Sequence, residues 1–248
     1  MAAQVQGIRA FGSENQLESF EMKVAEKLDV IKTNNALMRE FIRAGALQGV
    51  IYRKDGTVSQ SLWNQFELQQ NTHSIALGTA TTDVIAEILE AKEKAEDELG
   101  QFQGQVQRYA LIAGKNMFRK LTRHEKTQKA FELFSSTTGY GGAAREDFRK
   151  VGFPILTDVE VFSYSKGKWG DTYFLAPDDA LLCPVIEGMY QTRNAPADNK
   201  LAVNTIGLPE YASTWELEGG KGDVVHGEMS TVSYVQRPRS IIKITSTN

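Results

Sequence analysis

The sequence predicts an α+β fold in which the two ends of the chain build one domain and the middle forms a second. Three observations carry the prediction. A long amphipathic helix pattern lies near the N-terminus, a glycine-turned hairpin follows it directly, and a strand pattern closes the chain far from any early partner. A length of 248 residues suffices for one large domain or two small ones with a substantial core. With 41% hydrophobic and 24% charged residues, the chain is outside the disordered class.

The first helix is expected from about Glu14 to Ala44. Ser13 suits the N-cap, and Gln16 three positions on completes a capping box. Leu17, Phe20, Val24, Leu28, Ile31, Met38 and Ile42 recur at spacings set by the helical repeat, interrupted by Asn35. Gly45 supplies the stop. A narrow apolar face on a rod of about 45 Å, at 1.5 Å per residue, implies a helix lying on a sheet or on a neighbour. The hairpin comes next: Val50–Arg53 and Thr57–Ser59 flank Asp55-Gly56, a type I′ turn signal. A segment of weak periodicity, Trp63 to Leu77, leads away from it.

A second helix is expected over Asp83 to Leu99, with Ile85, Ile88, Leu89 and Leu99 inward and a charged outer face that pairs Glu90 with Lys94. Val106 to Ala113 reads as a strand. Thr122 and Glu125 form a capping box for a further helix that turns Ala130, Phe131 and Phe134 inward. Gly139-Tyr140-Gly141-Gly142 marks a loop. Strands follow around Pro154–Tyr164, Tyr173–Leu175 and Leu181–Ile186, and the chain ends on Thr231–Gln236 and Ser240–Thr245.

Little in the residues points to catalysis. A net charge of −3 argues against a sequence-reading nucleic-acid binder, though not against a wall that encloses nucleic acid. No apolar run approaches the roughly 20 residues needed to span a bilayer, and Met1 to Gln6 carry no signal-peptide pattern. The single cysteine, Cys183, cannot form an internal disulfide; it reads as a small buried hydrophobe in a protein made in a reducing cytoplasm. His73, His124 and His226 are scattered, without zinc-ligand spacing, and read as surface or helix-face residues. Asp178-Asp179 after Pro177 reads as turn chemistry, because adjacent side chains in a turn point apart. Arg119, Arg123 and Lys126 would share a helix face, read here as a solvated face interleaved with Glu125 and Glu132.

The stretch that stands out is Tyr190 to Tyr211. It contains Pro196-Ala197-Asp198 and then Val203-Asn204-Thr205-Ile206-Gly207-Leu208-Pro209-Glu210-Tyr211, and near the C-terminus Gln236-Arg237-Pro238-Arg239-Ser240 leads into Ile241-Ile242-Lys243-Ile244. This order resembles the lambda-type (E family) major capsid proteins of tailed bacteriophages. Arg9–Glu14, Leu47–Val50 with Asp55-Gly56, and Phe153–Tyr164 with Phe174-Leu175-Ala176-Pro177 resemble the same family's spine-helix start, hairpin and strand block. The resemblance implies the tailed-phage major capsid fold, named for the Hong Kong ninety-seven phage, with a peripheral domain on the spine helix and an axial domain. By that carry-over residues 1–73 and 206–248 are peripheral and 74–205 axial. Pro196, Asp198, Asn204, Gly207, Pro209 and Tyr211 match the family motif and would serve turn geometry and loop anchoring, with Gly207 in a conformation that only glycine adopts cheaply. The family's N-terminal arm and most of its extended loop are expected to be missing, since the chain begins just before the spine helix.

What the resemblance implies functionally is a non-enzymatic shell subunit without cofactor or metal. It would assemble in the bacterial cytoplasm into the pentamers and hexamers of a virion and enclose dsDNA without reading its sequence. Scaffold, portal and decoration proteins would be further partners, and no membrane is involved. Three rivals stand beside it: a nanocompartment shell subunit of the same fold, a truncated capsid protein that poisons another phage's assembly, and an α/β metal-dependent hydrolase using Asp178, Asp179 and a histidine.

Overall fold

The structure is a computed structural model that describes residues 20–129, 153–165 and 167–247. Ser13, Gln16 and Leu17 lie outside the described residues, as do Ala130, Phe131, Phe134 and the loop from Gly139 to Gly142. Contacts gather the chain into two compact units, Met1–Ile42 with Thr192–Val232, and Arg43–Gln191 with Ser233–Asn248.

The first unit is organised by most of helix α1 (Phe20–Leu47). Val24, Leu28, Ile31 and Met38 are half-buried along one face, as their spacing predicts, and Asn35 lies half-buried in the same row. The face lies on a hairpin made by β11 (Tyr211–Glu216) and β12 (Asp223–Glu228), antiparallel in register from Tyr211 opposite Glu228 to Glu216 opposite Asp223. Contact is close. A Cβ on Gly227 would come within 2.2 Å of Cγ2 of Ile31. Asn35 is no interruption, because its amide and the Arg39 guanidinium converge on the Glu210 carboxylate at 3.5 and 3.4 Å. This hairpin has no counterpart in the sequence reading: β11 is mostly exposed, β12 is mostly half-buried, and neither shows an alternating apolar pattern.

The second unit is built on a six-stranded mixed sheet. Its strands are β3 (Thr72–Ala76), β4 (Arg108–Gly114), β5 (Phe153–Leu156), β6 (Val159–Tyr164), β9 (Asp179–Val185) and β14 (Ile242–Thr247), in the order β3-β14-β9-β4-β6-β5. β14 runs parallel to β3 and antiparallel to β9, while β4 runs antiparallel to β9 and parallel to β6. Strand alternation sorts the side chains onto two faces. Leu111, Val161, Leu182, Ile242 and Ile244 meet helices α3 (Val84–Leu99) and α4 (Lys115–Arg123) on one face; Leu181, Cys183, Ile186, Val235 and Ile241 form the core of the other. Pro184 is tolerated in the central strand β9 because pairing with β14 ends at Leu182, so no ladder partner needs its missing N–H.

Several expectations need correction. The terminal strand β14 belongs to this sheet, beside β3, and not with the helix unit; the segment that returns to the helix is Thr192–Val232. α1 runs through Gly45, where a Cβ would fall 2.6 Å from the Tyr52 ring, and stops at Gly49 in left-handed backbone at φ 71°. β1 (Val50–Tyr52) and β2 (Val58–Ser61) do form the hairpin, but its turn is not type I′. Gly56 has positive φ and Asp55 does not; Asp55 accepts hydrogen bonds from the backbone and hydroxyl of Thr57 instead. On α3 the inner face is Val84, Ile88, Ala91, Ala95 and Leu99, with Leu89 exposed, because two alanines let the helix approach the sheet. Lys94 reaches His73, not Glu90, and the spaced pair on this helix is Lys92 with Glu96. A helix does resume at Glu125, but Thr122 is not its cap: it lies inside α4 and donates to the Phe118 carbonyl.

Candidate functional site

Asp178, Asp179, His73 and Cys183 are each committed to local structure. Asp178 faces Asn116 at 3.2 Å, whereas Asp179 pairs with Lys243 at 2.7 Å, so the adjacent carboxylates do point apart. The Cys183 thiol is buried in the core, and burial pushes its pKa up to about 12, so it stays protonated and inert as a nucleophile. Tyr190 donates to the Pro184 carbonyl at 2.7 Å, and desolvation raises its hydroxyl pKa. His226 stays exposed on β12, its ring 5.9 Å from that of Trp215.

Two histidines correct the sequence reading, because His73 and His124 are buried. His73 stands on β3 with Nε2 2.8 Å from Glu87 and 3.9 Å from Glu90, a donor set of the size that holds a metal ion. Its other nitrogen argues for a different role. Nδ1 lies 2.9 Å from the Lys94 ammonium, which can only donate, so Nδ1 is an acceptor and the proton sits on Nε2, facing Glu87. A metal-ligating imidazole usually turns its second nitrogen towards an acceptor. The chain Lys94 to His73 to Glu87 therefore works as a polar staple between α3 and the sheet edge.

The motif region of the first unit is a loop fixed at many points along its backbone. The Ala195 amide donates to the Ser230 carbonyl at 2.8 Å, and the Asp198 amide to the Glu228 carboxylate at 2.9 Å. Asn199 Oδ1 accepts from Leu201 and Ala202, and Asn204 takes left-handed backbone at φ 59°. Gly207 is constrained by proximity, not by φ: a Cβ there would fall 2.2 Å from the Asn194 carbonyl oxygen. The Leu208 amide donates to the Tyr211 hydroxyl at 2.8 Å, and Glu210 holds α1. Of the motif residues, then, Asp198 (through its amide), Asn204, Gly207 and Tyr211 take part in the loop's own geometry. Pro196 and Pro209 lie in the same loop.

Sequence reasoning missed what this scaffold displays. Leu201, Val203, Ile206 and Leu208 are all exposed, Leu201 at 84% and Ile206 at 91%. The signal was present as aliphatics spaced by two and three within a stretch otherwise rich in Asn, Asp and Pro. Holding the backbone rigid while leaving such side chains in water is costly unless something covers them.

Comparison with known proteins agrees on one description. The family model described as phage major capsid protein E matches residues 1–246. A major capsid protein of the Salmonella phage Felix O1 is 23% identical, over 97% of this chain and 73% of its own length. Among solved structures, a prophage protein of E. coli CFT073 described as a capsid protein superposes with a TM-score of 0.55 at 14% identity, covering 98% of this chain and 75% of that one. The last likeness shows the fold.

Proposed function

The chain belongs to the phage major capsid protein E family, and on that premise we propose that it works by tiling against copies of itself in the closed icosahedral shell of a tailed phage head. The fold is the tailed-phage major capsid fold, and the function that goes with the family is that of a capsid shell subunit. The finer reading is ours. The unit of α1 and the β11–β12 hairpin acts as the peripheral domain, and the unit of the six-stranded sheet as the axial domain that meets its copies in rings of five and six. Relative to the sequence expectation, this moves residues 43–73 and 233–248 to the axial side and residues 192–205 to the peripheral side, as their contacts favour.

The observation that carries the reading is the pinned loop of Leu201 to Leu208. Between copies in a shell, contacts are heterologous and close by rotation, so one patch on each copy, here on the peripheral unit, meets a different patch on the next. Pro196, Asp198, Asn204, Gly207, Pro209 and Tyr211 then serve as positioning residues that hold the aliphatics outward. The work is non-covalent, with no catalytic residue, cofactor or metal. Packaged dsDNA is enclosed without being read, and scaffold, portal and decoration proteins join in the bacterial cytoplasm. Among the described residues no helix is long and apolar enough to cross a membrane.

Electron microscopy and sedimentation of the purified chain over a range of concentration and salt test this. Rings or shells are expected; a monomer under every condition, including co-expression with a scaffold-type partner, counts against it.

A further inference from the structure

The segment Lys115–Lys129 carries six cations and one carboxylate in a chain of net charge −3. The sequence reading treated it as a solvated face. The structure adds a hollow of about 360 Å³ lined by Arg119, Lys120, Arg123, His124 and Glu125 together with Leu77, Gly78 and Ala80 of the turn between β3 and α3. His124 is the C-cap of α4 and only 7% exposed. Its Nε2 lies 3.1 Å from the Thr79 carbonyl oxygen, which can only accept, so the proton is on Nε2. That leaves Nδ1 buried and without a hydrogen-bond partner among the described residues, a costly condition for a polar atom.

The surrounding charges are only lightly engaged. Arg119 reaches the Asn116 side chain at 3.3 Å, and Lys120 stands 3.2 Å from Ser246 and 3.7 Å from Asp178. Glu125 is taken up by Lys129. Arg119 and Arg123 are one helical turn apart, so their guanidinium groups stand on one face.

We propose that this hollow is a phosphate site, with Arg119, Lys120 and Arg123 as its charge and the buried His124 in its wall. A tetrahedral oxyanion offers the acceptors that two guanidinium groups and an ammonium require. Free phosphate and a DNA backbone share this chemistry, and the site does not depend on how the subunits tile.

The test uses the full chain at concentrations where light scattering shows it monomeric. Inorganic phosphate is titrated by calorimetry and a short fluorescent DNA duplex by anisotropy, each against the wild type, Arg119→Gln/Arg123→Gln and, as a matched charge control, Lys200→Gln/Lys221→Gln. All four positions are exposed, and circular dichroism checks folding. Expected is binding of phosphate that weakens about tenfold or more in the arginine variant and is unchanged in the control. Loss of duplex binding in the arginine variant alone assigns the phosphate to a DNA backbone; phosphate binding without duplex binding assigns it to free phosphate. Binding of neither probe, retention of both by the arginine variant, or equal loss in the control overturns the site. Since assembly is not the readout, none of these outcomes bears on the shell reading.

Discussion

Cys183 and Gly207 show how single atoms are constrained here. Cys183 lies in a central strand with its thiol raised to about 12, well above its usual value near 9. A group whose folded pKa is raised binds its proton more tightly when folded. Its contribution is therefore fully present below about pH 9 and is lost as pH climbs from there towards 12, at about 1.4 kcal/mol per pH unit. The buried hydroxyl of Tyr109 and the Tyr190 hydroxyl held against the Pro184 carbonyl, also raised by desolvation, act in the same direction at higher pH. Urea midpoints should be flat through neutral pH and fall above about pH 9, and an aromatic disulfide reagent at pH 8 should label Cys183 only at the rate of unfolding. Fast native labelling would contradict the buried assignment. At Gly207, alanine must push apart two backbone segments, so Gly207→Ala should cost about 1–3 kcal/mol by chemical denaturation. Gly104, where a Cβ meets nothing within 4 Å, is the control and should tolerate alanine.

At the scale of elements, α3 offers a clean measurement. Asp83 Oδ1 accepts from the amides of Ile85 and Ala86, both at 3.2 Å. Asp83→Ala should lower stability by about 1 kcal/mol, and Asp83→Ser should recover most of it, both read from urea midpoints. The start of this helix was legible, because Thr81, Thr82 and Asp83 stand immediately before an apolar helical repeat. The spine helix, the hairpin and β9 were legible for the same reason: their patterns are long or their punctuation strong. What escaped the sequence depends on contacts between distant segments. α4 has nine residues and no side-chain cap, so the burial of Met117, Phe118 and Leu121 is what identifies it. Gly45 reads as a stop until Tyr52 is seen against it, and His124 reads as exposed until Thr79 is placed beside it. The motif at 196–211 was visible as a pattern of residues, whereas the work it does, fixing a loop against β12 and α1, lies in hydrogen bonds between segments that are far apart in sequence.

For the whole molecule the question is whether Leu201 and Ile206 belong to the fold or to its neighbours. Both are more than four-fifths exposed, so within the subunit they bury almost nothing. Leu201→Asp and Ile206→Asp should then leave the thermal and urea transitions of the isolated chain within about 0.5 kcal/mol of wild type. In a ring each aliphatic side chain is covered once per subunit, and full burial of such a side chain contributes about 1.5–3 kcal/mol. The concentration needed for assembly should therefore rise by about tenfold or more for each substitution, since 1.4 kcal/mol corresponds to one factor of ten. Ring closure repeats the same loss at every contact, so the double variant should remain monomeric where wild type assembles. Sedimentation velocity across a dilution series measures both quantities on one sample. Assembly at wild-type concentrations would place the contact surface elsewhere. A large fall in monomer stability would mean that the loop packs within its own subunit instead.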